Sequence, residues 1–254
     1  MTPLGLVKHV CLDKDGVLTD VHAYWAHIVA CRAKRIAETW DFDASQVTKL
    51  TRAMGVDPLT ERILAGGPVG YKPRAAVIAA ASRTLGRWGR VVPDRDIARL
   101  FSEVDSQLTG EAGHVRMLKG VTEALTGFKA LGLKVSVYSS DYRGNLGRVV
   151  AEIGIASMLD ALVGGDEVRK PKPDSDGFLL ACERAGVELG ETVYIGDTVD
   201  DVIMAENCGS AGGIGVLSGL MSAEDFGAVK GRGLFHNLIE VADFVSRERC
   251  CVQR

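Results

Sequence analysis

The feature that most constrains the fold is a regular alternation of short apolar runs with helical patterns in the second half of the chain. The apolar runs end in polar residues or glycine and occupy residues 133–141, 161–167, 192–201 and 211–219. Helical apolar patterns follow at residues 121–131, 145–159, 176–186, 200–208 and 237–247. Brief buried strands that alternate with helices predict right-handed βαβ units and a parallel sheet.

The N-terminal run that contains Val10 and Leu12 is predicted to join the same sheet. The sequence therefore predicts an α/β fold, with a Rossmann-like parallel sheet and helices on both faces.

The stretch from 21 to 115 has a different pattern, because it is rich in Ala and Arg and mostly helical in period. A segment of this length cannot be a plain loop inside a compact domain. We expect it to be a helical domain inserted after the first strand, with a Gly/Pro-rich interruption at 64–74. The remaining domain would then comprise residues 1–20 and 116–254.

Several of the predicted strands end in residues that can carry chemistry. They are Asp13 and Asp15, Ser139 and Ser140, and Asp197 followed by Asp200 and Asp201. Ligands of a parallel sheet collect at the carboxyl ends of its strands, so these side chains are expected in one crevice. Carboxylates gathered there repel one another unless a cation is present, and an all-oxygen ligand set suits Mg²⁺.

A carboxylate beside such a cation can attack phosphorus and form an aspartyl-phosphate. The charge on the transferring oxygens then needs a metal, a lysine and hydroxyl or backbone donors. Lys170, in the segment "RKPKPD", and Ser139 are placed for these tasks.

Four motifs in this order resemble those of the haloacid dehalogenase superfamily, whose members are mostly Mg²⁺-dependent phosphatases. The motifs are "CLDKDGVL", "VSVYS" ending at Ser139, "KPKPD" starting at Lys170, and "GDTVDD" with Asp197 and Asp201. The helical insertion is similar to the cap of the superfamily's first subclass, which closes over the site and selects the substrate.

The resemblance implies a role for each motif residue. Asp13 would be the nucleophile and a metal ligand, and Asp15 the general acid and base, with its main-chain carbonyl on the metal. Ser139 and Lys170 would hold the phosphoryl group. Lys172 is the less favoured motif lysine, because the pattern counts the first lysine of K-P-x-P.

The same resemblance assigns Asp197 and Asp201 to the metal, although capping of a helix N-terminus remains an alternative for both. Ser140, Lys72 and Arg74 are candidate substrate contacts. Their alternatives are a plain strand end for Ser140 and ordinary surface charge for the two basic residues.

The net charge of −3 and the scattered basic residues predict no affinity for nucleic acid or for an anionic membrane. No apolar stretch reaches the roughly 20 residues of a membrane span. Six cysteines at irregular spacing favour reduced thiols, and therefore the cytoplasm. The expected partner is a small phosphorylated metabolite, and the sequence leaves the oligomeric state open.

The predicted activity is hydrolysis of a phosphate monoester. A phosphomutase of the same superfamily would use the same residues and remains an alternative, as does an inactive binding protein on this fold. A metal-free dehalogenase is disfavoured by Asp15, and a signalling receiver by the D-x-D spacing and the long insertion.

Overall fold

The computed structural model describes residues 3–108, 115–227, 229 and 231–252. Contacts divide the chain into two units. We call Met1–Asp20 with Val115–Arg254 the core unit, and Val21–His114 the helical insertion. No helix among the described residues is long and apolar enough to cross a bilayer.

Eight strands form two separate sheets within the described chain. The strands are β1 (His9–Leu12), β2 (Val56–Asp57), β3 (Arg62–Ile63), β4 (Lys134–Tyr138), β5 (Ala161–Val163), β6 (Thr192–Gly196), β7 (Gly212–Val216) and β8 (Leu234–Phe235). Six of them form a parallel sheet in the order β5-β4-β1-β6-β7-β8, and β2 pairs antiparallel with β3. The predicted α/β fold is confirmed.

Ten α-helices accompany these strands in the described residues. They are α1 (Val21–Trp40), α2 (Ala44–Ala53), α3 (Arg74–Arg87), α4 (Asp94–Leu108), α5 (Val121–Ala130), α6 (Arg143–Glu152), α7 (Asp176–Ala185), α8 (Val199–Asn207), α9 (Ala223–Phe226) and α10 (Leu238–Val252).

The sheet is covered by helices on both faces, as its apolar strands require. Val10 and Leu12 of β1 pack into a cluster that contains residues of α5, α6 and α10. Cys11, which points to the opposite face, packs into a second cluster with residues of α7 and α8. Side chains alternate across a strand, so a strand that is apolar at every position needs a helix layer on each side.

The register of the central strands places their carboxyl ends at one edge. Leu12 of β1 is the partner of Val137 on β4 and of Ile195 on β6. The residues that follow these three strands therefore emerge side by side, which is where the sequence places its carboxylates and Ser139.

Two segments of the core unit, residues 18–20 before the insertion and 116–118 after it, are hydrogen-bonded to each other. Thr19 forms an antiparallel bridge with Met117. The Leu118 N–H donates to the Leu18 carbonyl at 2.9 Å, and the Asp20 N–H to the Arg116 carbonyl at 2.8 Å.

The helical insertion contains α1 to α4 and the β2–β3 hairpin. A capping box starts α2, in which the Asp43 carboxylate accepts from the Gln46 N–H at 2.9 Å and the Gln46 side chain accepts from the Asp43 N–H. Ile28 of α1 packs against Val104 and Leu108 of α4. The insertion is thus mostly helical, with one short antiparallel element.

Candidate active site

Three buried carboxylates meet at the carboxyl edge of the sheet. Asp13 directly follows β1, Asp197 directly follows β6, and Asp201 lies in the first turn of α8. Each offers a carboxylate oxygen, and these oxygens lie within 4.8 Å of one another. We call these residues the acidic triad. Their oxygen-only chemistry fits a hard divalent cation.

Asp201 is fixed because it also caps α8. Its Oδ2 accepts from the Thr198 N–H at 3.2 Å and from the Thr198 hydroxyl at 2.6 Å, while Thr198 Oγ1 accepts from the Asp201 N–H. The capping alternative therefore holds for Asp201, whose other oxygen, Oδ1, accepts from the Lys172 ammonium at 2.8 Å. Asp200, one residue earlier, is exposed.

Lys172, not Lys170, brings a positive charge to the triad. The Lys172 ammonium lies 2.8 Å from Asp13 Oδ1 and 2.8 Å from Asp201 Oδ1. The Lys170 side chain is 70% exposed, and its ammonium lies 3.3 Å from Asp174 Oδ2. Of the two lysines of "KPKPD", it is therefore the second, and not the predicted first, whose ammonium lies among these carboxylates.

The local chain explains the difference between the two lysines. Lys172 lies four residues before Asp176, the first residue of α7. Lys170 lies six residues before Asp176, and its backbone N–H donates to the Asp176 carboxylate at 3.3 Å. Spacing from the start of α7 is the sequence signal that could have identified Lys172.

Two aromatic rings surround the Lys172 ammonium. It lies 5.0 Å from the ring centroids of both Tyr138 and Tyr194, which is within cation–π range. The Tyr194 hydroxyl donates to the Tyr138 carbonyl at 2.9 Å and thereby fixes its own ring. Burial opposes the charged form of Lys172, but Asp13 and Asp201 outweigh it and raise the pKa of this lysine.

The triad holds more negative charge than Lys172 compensates. Burial raises the pKa of Asp13 to about 6, and Asp201 and Asp15 act in the same direction against the lowering effect of Lys172. Burial, followed by the charges of Asp13 and Asp201, raises the pKa of Asp197 well above its usual range. A bound divalent cation would remove this repulsion, so the residues fit a metal site.

The wall behind Asp197 consists of main chain. The Leu220 N–H donates to Asp197 Oδ2 at 3.1 Å. A Cβ on Gly16 would lie 2.4 Å from Asp197 Oδ2, and one on Gly219 would lie 1.8 Å from the same atom. Gly16 also has φ of +74°, so both the conformation and the space require glycine there.

Asp15 lies outside the triad at a more exposed position, with 38% of its side chain accessible. The Thr19 hydroxyl donates to its Oδ1 at 3.0 Å, and the Lys14 ammonium lies 2.9 Å from its Oδ2. The carboxyl group is thus oriented by two neighbours and remains accessible to solvent.

Ser139 and Ser140 follow β4 at the same edge of the sheet. Ser139 is buried, its N–H donates to the Val163 carbonyl at 3.1 Å, and its Oγ accepts from the Asp141 N–H at 3.2 Å. Ser140 is exposed. Phosphate contacts by the two serines stay predictions.

Lys72 and Arg74 belong to the helical insertion. Lys72 is exposed, and Arg74 donates to the Asp105 carboxylate and, at 3.2 Å, to the Ser102 hydroxyl. Substrate contact by these residues also stays a prediction.

Comparison with known proteins gives two matches that cover most of the chain. The family model of haloacid dehalogenase-like hydrolases matches residues 7–209. A phosphoglycolate phosphatase of Thiobacillus denitrificans is 32% identical over 204 residues, which are 80% of this chain and 80% of that protein.

Two further proteins are similar over different lengths. "Probable phosphatase IndB" of Dickeya dadantii is 31% identical over 122 residues, which are 48% of this chain and about half, 53%, of that protein. A solved haloacid dehalogenase family hydrolase of Deinococcus radiodurans, with bound phosphate and sodium, has a TM-score of 0.70 at 17% identity, over 96% of this chain and 97% of that one. This last likeness shows the fold.

Proposed function

The chain belongs to the haloacid dehalogenase-like hydrolases, and on this premise we propose that it is a Mg²⁺-dependent phosphatase that hydrolyses small phosphate monoesters through an aspartyl-phosphate on Asp13. The observation that carries the proposal is the position of Asp13. Its buried carboxylate lies in the acidic triad and contacts the Lys172 ammonium at 2.8 Å.

The triad residues Asp13, Asp197 and Asp201 would hold the Mg²⁺ ion, and the main-chain carbonyl of Asp15 remains a predicted further ligand. The bound ion would supply positive charge against the triad and against the phosphoryl oxygens. The Lys172 ammonium supplies part of the same neutralisation from the protein itself.

In the first step a carboxylate oxygen of Asp13 forms a bond to phosphorus, and the bond from phosphorus to the ester oxygen breaks. Asp15, in its protonated form, gives its proton to the leaving alcohol. Lys172 and donors near Ser139 neutralise the charge of the transferring phosphoryl group. Lys172 takes the place first assigned to Lys170.

In the second step Asp15 takes a proton from water, whose oxygen attacks phosphorus. The bond between phosphorus and Asp13 breaks, and inorganic phosphate leaves. The accessible position of Asp15 supports this role, since the leaving alcohol and the attacking water both have to reach its carboxyl group.

The substrate class is a small phosphorylated metabolite, and phosphoglycolate heads the panel to be tested because similar proteins carry that name. We expect the helical insertion to act as a cap that selects the substrate, with Ser140, Lys72 and Arg74 as candidate contacts. The four cysteines whose side chains the structure describes are thiols and not disulfides, which is in keeping with the proposed cytoplasmic location.

The test measures phosphate release from a panel of phosphorylated metabolites and from p-nitrophenyl phosphate, with Mg²⁺ and with excess chelator. We expect turnover with Mg²⁺ and a loss on the order of 10³-fold or more in Asp13→Asn. Asp160→Asn, which changes an aspartate at the opposite edge of the sheet, is the matched control and should retain activity.

Four results would count against the proposal. Full activity of Asp13→Asn or full activity in chelator would exclude the mechanism. An isomerised phosphosugar without phosphate release would identify a mutase. Phosphate binding without turnover of any ester would identify an inactive binding protein.

A further inference from the structure

A buried lysine links the first two catalytic loops of the core unit. Lys14 lies between Asp13 and Asp15 in the sequence, and only 5% of its side chain is accessible. Its ammonium lies 2.9 Å from Asp15 Oδ2 and 3.1 Å from Asp141 Oδ2. One cation therefore joins the loop after β1 to the loop after β4, across 127 residues of chain.

The Asp141 end of this bridge is held firmly. Asp141 Oδ1 accepts from the Tyr142 N–H at 2.9 Å, and the Asn145 amide donates to Oδ2. The Asp141 carbonyl accepts from the Gly165 N–H at 2.8 Å. Asp141 thus provides a fixed point against which the Lys14 ammonium can be placed.

The Asp15 end is the group that has to be oriented. Its carboxyl is partly accessible, and a side chain in that position would sample several rotamers without neighbours. Thr19 fixes Oδ1 at 3.0 Å, and Lys14 fixes Oδ2. The two contacts together define the plane of the carboxyl group.

The burial of Lys14 distinguishes this bridge from an ordinary surface ion pair. A buried ammonium costs several kcal/mol in lost hydration unless its partners are well placed. An apolar residue of similar volume would avoid that cost at position 14, so the lysine suggests a task beyond stability.

We propose that Lys14 is a positioning residue that holds the Asp15 carboxyl, through the fixed Asp141, in the orientation required for proton transfer to and from the substrate oxygen. The inference rests on the proposed function, in which Asp15 is the general acid and base. It adds Lys14 and Asp141 as residues that act through Asp15 without touching the substrate.

The first experiment compares two esters that differ in their need for a general acid. An alkyl phosphate has a poor leaving group and needs the proton from Asp15, whereas p-nitrophenyl phosphate leaves well without it. In Lys14→Met we expect kcat/KM, which reports the first phosphoryl transfer and not the second step common to both esters, to fall about ten-fold further for the alkyl ester than for p-nitrophenyl phosphate.

Partner variants sharpen this readout. Lys14→Arg, which keeps the charge, should restore part of the kcat/KM lost for the alkyl ester. Asp141→Asn should show the same selective loss, and the double variant should lose no more than either single one, because both act through one bridge. Lys134→Met, which removes an exposed lysine paired with Asp160 at the other end of β4, is the control and should lose neither activity.

The second experiment does not depend on activity. Crystal structures of the wild type and of Lys14→Met should show the Asp15 carboxyl displaced or spread over several conformers in the variant. An unmoved Asp15 carboxyl, or an equal loss of kcat/KM for both esters, would overturn the role of Lys14. A wild type that hydrolyses neither ester would contradict the proposed function, and the crystal structures would still decide the position of Asp15.

Discussion

Lys172 carries its charge into a site where burial, two carboxylates and two aromatic rings act on one ammonium group. Burial disfavours the charged form, and the ion pairs with Asp13 and Asp201 at 2.8 Å reverse that effect. The faces of Tyr138 and Tyr194 add a further attraction that needs no counter-ion. The result is a fixed positive charge beside the proposed nucleophile.

We expect Lys172→Met to reduce kcat/KM for phosphate esters on the order of 10²-fold or more, because it removes a charge that the transition state needs. Lys170→Met is the matched variant and should stay within about two-fold of the wild type, since its lysine is exposed. Circular dichroism of both variants is the control for folding. An inactive Lys170→Met together with a fully active Lys172→Met would contradict the assignment of Lys172.

The motif "KPKPD" does not by itself identify the lysine that reaches the site. The segment "KPKPD" contains two lysines, each followed by proline, and the pattern alone favours Lys170. Which ammonium reaches Asp13 depends on where α7 begins and on how the loop before it runs. Likewise, nothing in "DKDG" distinguishes a solvated Lys14 from one buried between two carboxylates, because the second partner, Asp141, is distant in sequence.

At the scale of elements, His9 joins three neighbouring strands near their amino ends. Its Nε2 lies 2.7 Å from Ser136 Oγ on β4, and its Nδ1 lies 3.2 Å from Thr192 Oγ1 on β6. Burial lowers the pKa of His9 to about 4, because a charge in the middle of the sheet would lose its hydration.

This depressed pKa predicts a stability that falls as the solution becomes more acidic. The unfolded chain binds a proton at His9 near pH 6.5, but the folded chain does so only near pH 4. The contribution of His9 is therefore complete above pH 6.5 and is lost as pH falls toward 4. Between pH 7 and pH 5 the loss in unfolding free energy is about 2 kcal/mol.

The measurement is urea unfolding at both pH values for the wild type and for His9→Gln. Carboxylates with raised pKa, such as Asp13, act in the opposite direction but do so in both proteins, so the difference isolates His9. The variant should lack this acid-dependent loss. Equal pH dependence in the two proteins would contradict the assignment.

Elements with strong patterns were predictable, and the shortest ones were not. The five longer strands of the sheet are apolar runs, and α5 has an apolar residue at every third or fourth position. Such patterns extend over several residues, so they can be recognised in the sequence alone. The two-residue strands β2, β3 and β8 have no period to detect. They exist because a neighbouring segment pairs with them, which is tertiary information.

At the scale of the whole molecule, the acidic triad links metal binding to stability. Its three carboxylates repel one another in the folded protein, and unfolding separates them. A cation that binds the folded state alone stabilises it by about 2.7 kcal/mol at one hundred times its dissociation constant.

We therefore expect Mg²⁺ to raise the melting temperature of the wild type, by roughly 2–4 °C for each kcal/mol of stabilisation. Differential scanning fluorimetry with and without Mg²⁺ measures this shift. Asp197→Asn should reduce the shift strongly, whereas Asp160→Asn should preserve it. A shift of the same size in Asp197→Asn would show that the ion binds elsewhere.

The antiparallel pairing of residues 18–20 with 116–118 has a consequence for how this chain can vary. Because the two segments already pair with each other, the rest of the core unit holds the residues between them as it would hold a loop closed at its base. The entropic penalty of a longer loop grows only with the logarithm of its length. The whole insertion could accordingly be shortened or exchanged at this junction while the strand order and pairing of the sheet that positions Asp13 stay the same.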